Sequence, residues 1–364
     1  MSQRPIIIVV TGRASWARVQ TVVEDLVDHD TPVTLILAGS AVLPRFDVPH
    51  PELNPYISVI RCMAFEPHGQ TASAAYTGHL TAELASLFAQ LQPRAVVVIA
   101  DRYETLAVSI AAAYQGIPLV HLLGGERSGN IDDKVRFANT MLADYHCVAT
   151  EIADELLRGI FPFDGHTIHQ TGCPSVDLAL RADFPDRQEV NAHGVGATFY
   201  PEEPFIVGMY HPCTEDDFDM LTLLNETRDA ARALGAQVLW FWPNIDPGAE
   251  AIEDEIRQWL LDPPIRWRFF RHLPPEDFLG LLKEARCLIG NSSVGVRETA
   301  IIGVPTLNIG LRQCGRETGP NVAEQLWPTR EAIAAVAENT RSAPSTLYGD
   351  GTAGAKIGAI LRGF

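Results

Sequence analysis

The sequence predicts an α/β protein made of two doubly wound domains in tandem. Three observations carry this expectation. Short apolar runs alternate with helix-period segments, no two-residue hairpin signal joins them, and the alternation lapses once, over the polar, Pro- and Gly-punctuated stretch 182–204, before it resumes. A length of 364 residues suits two cores better than one. Strands that are apolar on both faces imply parallel sheets covered by helices.

IIIVVTG reads as a buried strand, and ASWARVQTVVEDLVDH as one helix with Val19, Val22, Val23, Leu26 and Val27 on a single face. PVTLILAG is a second strand. LTAELASLFAQLQ places Leu80, Leu84, Leu87, Phe88 and Leu91 at helical spacing; AVVVIA, a helix over Glu104 to Ala113, and IPLVHLL follow. Beyond the lapse come PFIVGMYHP, a helix through Leu221 to Leu234, QVLWFWPN, a helix near Ile252 to Leu261, IRWRFF, PPEDFLGLLKEA, RCLIG and PTLNIG. The predicted boundaries are 1–190 for the first Rossmann-like domain and 200–350 for the second, with a terminal helix over 351–364. No internal repeat or low-complexity tract interrupts the pattern.

Apolar residues make up 46% and charged residues 20%, the balance of an ordinary globular chain. With 28 basic against 45 acidic side chains, the net charge of −17 argues against non-specific attraction to nucleic acid or anionic membrane. An anionic ligand must therefore meet a local arginine cluster. Met1 to Arg4 runs into a strand without a signal-peptide layout and no run of 18 apolar residues occurs, so a cytoplasmic location is expected. The six cysteines are scattered singly, with no CxxC and no HExxH, which indicates buried free thiols and no structural metal.

Ligands of open α/β sheets bind beyond the carboxyl ends of the strands. The residues there are Thr11, Gly12 and Arg13; Asp101 and Arg102; Gly124, Gly125 and Glu126; then His211, Asn244, Asp246, Asn291, Ser292 and Ser293. Within GNSSVGVRE, Ser292 and Ser293 stand at a strand-to-helix turn, where backbone amides and hydroxyls together suit a phosphate. A simple N-cap is the plainer alternative. Glu298, placed inside the following helix, can accept both hydroxyls of a ribose or merely face solvent. Arg312 and Arg316 can neutralise a diphosphate or form surface ion pairs. Asp101 can take part in proton transfer or cap the helix after it. TGRASW lacks a GxGxxG pattern, and no Walker loop is present, so dehydrogenase-type dinucleotide binding loses support.

The segments ADRYETLAVSIAAAYQGIPLVHLLGGERSGNIDDKVRFANTMLADYHCVAT, TGCPSVD, MYHPCT, WPNIDPG and GNSSVGVRETAIIGVPTLNIGLRQCGRETGPNV resemble the UDP-N-acetylglucosamine 2-epimerase superfamily, most of all its hydrolysing branch of sialic- and legionaminic-acid pathway enzymes. The likeness runs in order from about Ile6 to Val322. It implies a GT-B-like pair of Rossmann-like domains facing a central cleft, with the last helix crossing back to the first domain. It also implies a UDP-linked N-acetylhexosamine or variant as substrate, UDP as product, no metal or redox cofactor, and homodimers or homotetramers. Ser292 and Ser293 match diphosphate ligands, Glu298 a ribose ligand, and Arg316 and His211 residues of the diphosphate or sugar. Asp101 and Asp132 match acids tied to proton traffic and Glu126 the glutamate of the GGE segment, the three forming the expected catalytic set; Arg13, Arg102, Arg136, Asn244 and Arg312 complete the expected binding set. The implied reaction removes the C2 proton as UDP leaves C1, then hydrates the resulting glycal.

Departures cluster at the chemical end. Leu123 stands where many hydrolysing relatives carry an acid before GGE, Ile99 and Ala100 replace part of an HGD pattern, and Ser15 replaces an acidic residue. In place of RHAITK the chain reads RFANTM, with Phe137 for histidine and Met141 for lysine; Asp144 replaces another histidine, although His146 is retained. A leucine cannot carry protons, which leaves Glu126 and Asp132 as the nearest bases. Besides the hydrolysing reading, a non-hydrolysing epimerase, another nucleotide-sugar hydrolase or transferase, and a weakened nucleotide-sugar-binding protein stay open.

Overall fold

The computed structural model describes residues 4–43, 54–64, 70–129, 131–161, 167–213, 219–246 and 248–364. The chain divides into two compact units, Met1–Arg127 with Ile131–Leu178 and Tyr348–Phe364, and Ser128–Asn130 with Ala179–Leu347.

In the first unit the strands are β1 (Ile6–Val10), β2 (Val33–Leu37), β3 (Ile57–Arg61), β4 (Ala95–Ile99), β5 (Leu119–Leu122), β6 (Tyr145–Val148) and β7 (Thr167–Gln170). They form one parallel sheet in the order β3-β2-β1-β4-β5-β6-β7. Every residue of β1, β2, β4 and β5 is buried, as their largely apolar runs predict, with Thr34 and His121 the buried polar members. The edge strands β3 and β7 carry no such run, because they are half exposed and need none.

The helix expected over residues 14–29 is two: α1 (Arg13–Ala17) and α2 (Gln20–Asp28). Arg18 and Val19 interrupt it, and Trp16 and Val19 both end up buried. Helix α3 (Gln70–Leu91) begins well before the apolar stripe that signals it. It packs with α4 (Tyr103–Ala113) around Leu80, Leu84, Phe88, Val108 and Ala112. Helices α5 (Asp132–Leu142), α6 (Glu151–Ile160) and α7 (Pro174–Arg181) follow.

The stretch 182–204, read from sequence as a polar break, is built into the second unit as α8 (Arg187–Ala192) and the short strand β8 (Val195–Gly196). Buried Arg268 holds it, donating to the carbonyls of His193 at 3.0 Å, Ala197 at 3.0 Å and Gly194 at 3.2 Å. The sheet adds β9 (Phe205–Met209), β10 (Gln237–Phe241), β11 (Trp267–Phe270), β12 (Cys287–Gly290), β13 (Thr306–Ile309) and β14 (Val322–Gln325). Its order is β14-β13-β12-β9-β10-β11-β8, parallel except for the β11–β8 pair. Around it lie α9 (Met220–Arg232), α10 (Ala249–Trp259), α11 (Pro275–Glu284), α12 (Glu298–Ile302) and α13 (Arg330–Glu338). Trp240 stacks on Trp267 at 5.6 Å and meets Trp259 edge-on at 5.3 Å, a large aromatic core for this unit.

Helix α14 (Ala353–Arg362) belongs to the first unit and lies on α2. A Cβ on Gly354 would stand 2.4 Å from Thr21 Oγ1, so only glycine permits this approach. Asp177 fixes the start of the helix: it accepts from the amides of Ala353 at 3.1 Å and Gly354 at 2.7 Å and from the Thr21 hydroxyl at 3.3 Å. Asp25 pairs with Arg362 at the other end. Asp177→Ala leaves two buried helix amides without acceptors and is expected to cost about 1–3 kcal/mol; calorimetric melting should show the transition lowered by several degrees.

Candidate functional site

Both sheets reverse their strand order once, between β1 and β4 in the first unit and between β9 and β12 in the second. Strand ends at such a switch point are where crossover connections diverge and leave a crevice.

In the first unit, Arg13 opens α1 just beyond β1, and burial pushes its guanidinium down to about 10. Ser15 is buried with its hydroxyl 3.1 Å from that of Thr11. Beyond β4, Ala100 adopts the left-handed conformation with φ 57°. Asp101 follows it and forms an ion pair with Arg136. Asp101 is not the cap of α4: the capping position is Arg102, and no side chain bonds there. Arg102 instead grips the fully buried carboxylate of Glu104, through Nε at 3.1 Å and Nη2 at 3.0 Å.

Arg136 is 1% exposed. Beyond its pair with Asp101, it bonds Asp133 and donates to the Glu126 carbonyl at 2.9 Å. Burial alone would lower its pKa, but Asp101, Glu126 and Asp133 outweigh that and raise it. The guanidinium expected at the substrate is thus committed to the carboxylates, and Glu126 is buried near it. Asp132 is the first residue of α5, half buried, one turn before Arg136.

His121, on β5, is fully buried; its Nε2 lies 3.0 Å from the Ala100 carbonyl and its Nδ1 3.1 Å from the Thr140 hydroxyl. A carbonyl only accepts, so Nε2 carries the proton and Thr140 donates to Nδ1. Burial pushes the ring pKa down to about 4, so it is neutral at physiological pH. Leu123 is buried and left-handed, φ 64°. Asp144 accepts from the Leu119 amide at 3.0 Å, at the amino end of β5 and so at the opposite end of that strand from Leu123 and Glu126. Phe137 is half buried and Met141 58% exposed. His146 pairs in register with His121 on the neighbouring strand and stacks on Phe161 at 5.2 Å.

In the second unit the switch point joins His211 and Asn291. The His211 amide donates to Asn291 Oδ1 at 2.7 Å, and Asn291 Nδ2 donates to the His211 carbonyl at 2.8 Å. Gly290 makes this possible, with φ 134° and the Met209 carbonyl 1.9 Å from where a Cβ would stand. The Asn244 amide donates to His211 Nδ1 at 3.2 Å, which leaves Nε2 as the donor of the neutral ring. The Asn291 carbonyl accepts from Gln313 at 3.0 Å and Arg312 at 3.3 Å, and Arg312 also faces Asp246 at 3.6 Å. Arg316, half buried, closes the same turn, its amide donating to the Gln313 carbonyl at 3.0 Å.

The Ser-Ser turn differs from the expected helix start. Ser292 caps a single 3-10 turn, Ser293–Gly295, and accepts from the Val294 amide at a long 3.5 Å, so its hydroxyl is weakly engaged. Glu298 opens α12 and does not lie inside it. It is 8% exposed, and its Oε2 is buried with no hydrogen-bond partner. Sequence reasoning missed Glu104, His121, Asn139 and Gln313: each lies within a helix, strand or turn pattern that accounts for a polar residue without any site.

Among the described residues no group of three or more His, Cys, Asp or Glu could hold a metal ion, and no helix is long and apolar enough to cross a membrane. The arrangement offers an anion-binding turn beside a buried, donor-seeking carboxylate in one unit, and carboxylates set about a buried guanidinium in the other.

Two Rossmann-like α/β units define the class as GT-B-like. Residues 57–362 match the model of the UDP-N-acetylglucosamine 2-epimerase family, and the chain belongs to that family of nucleotide-sugar 2-epimerases. It is 31% identical over 304 residues to a UDP-N,N'-diacetylbacillosamine 2-epimerase (hydrolyzing) of Legionella pneumophila, covering 82% of this chain and 78% of that one. It is 28% identical to a UDP-N-acetylglucosamine 2-epimerase of Neisseria meningitidis, covering 91% and 86%. A Methanocaldococcus jannaschii UDP-GlcNAc 2-epimerase, solved with UDP-GlcNAc and UDP, shares the fold at TM-score 0.77 and 16% identity over 99% of this chain and 100% of that one.

Because His121 is held neutral when folded, the unfolded chain takes up its proton first as the pH falls. Stability from this group is present above about 6.5 and is lost as the pH drops toward 4. The loss is expected to reach about 3 kcal/mol, and urea unfolding at pH 7 and pH 4 should lose that part of its difference in His121→Gln.

Proposed function

We propose that this protein is a hydrolysing nucleotide-sugar 2-epimerase, acting on a UDP-linked N-acetylhexosamine or a modified relative. The observation that carries the reading is Glu298 Oε2, a buried carboxylate oxygen without a donor beside the Ser292–Ser293 turn. Such an atom is costly to leave unsatisfied, and the vicinal hydroxyls of a ribose supply the missing donors. The diphosphate then falls to Ser292, Ser293, the His211 ring and the guanidinium groups of Arg312 and Arg316. Arg13 adds positive charge in the first unit, where Arg102 is paired with Glu104, and Asn244 sets the His211 ring.

The chemistry follows from what the sugar requires. A C2–H bond is weakly acidic, so a placed carboxylate must take the proton as the C1–O bond to UDP breaks, leaving a 2-acetamidoglucal; water then returns a proton to C2 from the other face and hydroxide to C1. Asp101, Glu126 and Asp132 are the groups for this traffic. With Leu123 apolar, the base is Glu126 or Asp132, and Asp101 is kept ionised against Arg136. The likeness to a relative named as hydrolysing supports UDP release. Leu123 favours a second reading, epimerisation without hydrolysis, since the acid of hydrolysing relatives is missing.

Incubation with UDP-N-acetylglucosamine and its 4-acetamido, 6-deoxy analogue in D2O should give free UDP and deuterium at C2 by proton NMR. Epimerised nucleotide sugar without free UDP would select the second reading, and no turnover of either sugar would exclude both. Replacing Ser292 and Ser293 together by alanine should weaken UDP binding about 10- to 100-fold in calorimetry; unchanged affinity would remove the diphosphate assignment.

A further inference from the structure

The geometry points to Asn139 as a positioning residue that clamps the turn bearing Asp101 and Arg102, an assignment that rests on the epimerase reading of Asp101. Asn139 lies on α5, fully buried, one turn after Arg136 and on the same face. Its Nδ2 donates to the Ala100 carbonyl at 3.2 Å and to Thr105 Oγ1 at 2.7 Å, and its Oδ1 accepts from the Ser109 hydroxyl at 2.8 Å. The Thr105 hydroxyl in turn donates to the Arg102 carbonyl at 2.5 Å. The carbonyls on either side of the Asp101–Arg102 pair are therefore both tied to one amide, directly at Ala100 and through Thr105 at Arg102.

The clamp has something to hold. Ala100 is an L-residue in the left-handed region, a conformation that costs of order 1 kcal/mol and persists only where surroundings impose it. Its carbonyl receives two donors, Asn139 Nδ2 and His121 Nε2. Helix α5 thus fixes Asp101 twice, its backbone through Asn139 and its carboxylate through Arg136. The polar residue sits in the middle of RFANTM, a stretch that reads as helix interior and gives no sign of this role. A side chain that bonds three groups around one turn, and reaches a fourth through Thr105, uses both its amide donors and its carbonyl, so no apolar residue of similar volume replaces it.

Asn139→Leu keeps the branched four-atom side-chain shape and removes every bond. In folded enzyme, kcat for C2 exchange in D2O should fall about 10- to 100-fold with KM changed by less than about threefold, and a crystal structure should show Ala100 out of the left-handed region and the Asp101–Arg136 pair broken. Should Asn139→Leu fail to fold, Thr105→Val removes the bridge from Asn139 Nδ2 to the Arg102 carbonyl and leaves the Asn139 bonds to Ala100 and Ser109, and a kcat loss of about 3- to 10-fold with near-normal melting is expected. Wild-type kcat in either folded variant, or an unchanged Ala100–Asp101 turn in its crystal structure, overturns the clamp. If the wild-type protein turns over no nucleotide sugar, the epimerase reading fails instead, and the two crystal structures alone decide whether Asn139 holds the turn.

Discussion

A parallel strand buried on both faces must end in a loop whose backbone groups still need partners, and every functional feature of this protein grows from that constraint. At the ends of β4 and β12 the chain turns sharply, through left-handed Ala100 in one sheet and through Gly290 in the other. The Ala100 carbonyl is satisfied by side chains from elsewhere, Asn139 and His121, whereas the β12 turn uses its own Asn291 to bond the backbone of His211 beyond β9. The polar side chains that hold the backbone also fix what it presents.

Charge is handled differently in the two units. In the first, buried ions are matched internally, Arg136 by Asp101 and Asp133 and Glu104 by Arg102, so desolvation is offset within the protein. Removing one member of such a group strands the others, which ties the carboxylates to the fold as firmly as any apolar contact. In the second unit the matching is incomplete at Glu298, and the Ser292 hydroxyl is loosely held. A fixed, partly unsatisfied polar surface is preorganised for a ligand that completes it.

The departures at the chemical end gain meaning from their surroundings. Asp144 supports the amino end of β5, Ser15 bonds Thr11, and Asn139 binds the turn before Asp101. These residues take up backbone and packing tasks, while Asp101 and Glu126 follow the ends of β4 and β5 and Asp132 opens α5. Leu123 is an apolar, buried side chain in the left-handed region directly after β5.

By itself the sequence determined the central strands and most of the helices around them, because full burial on both faces writes an unbroken apolar run and an amphipathic helix writes its period. It also located the strand ends, and with them Asp101, Glu126, His211, Asn244 and the Ser-Ser turn. Edge strands β3 and β7 left no such mark, since half-exposed strands tolerate polar residues. Only tertiary structure decided that residues 182–204 fold as α8 and β8, that Glu298 begins its helix, and that Arg136 answers carboxylates. Those outcomes depend on partners distant in sequence, Arg268 for the first and Asp101 for the last, and no local pattern encodes a contact made across 35 or more residues.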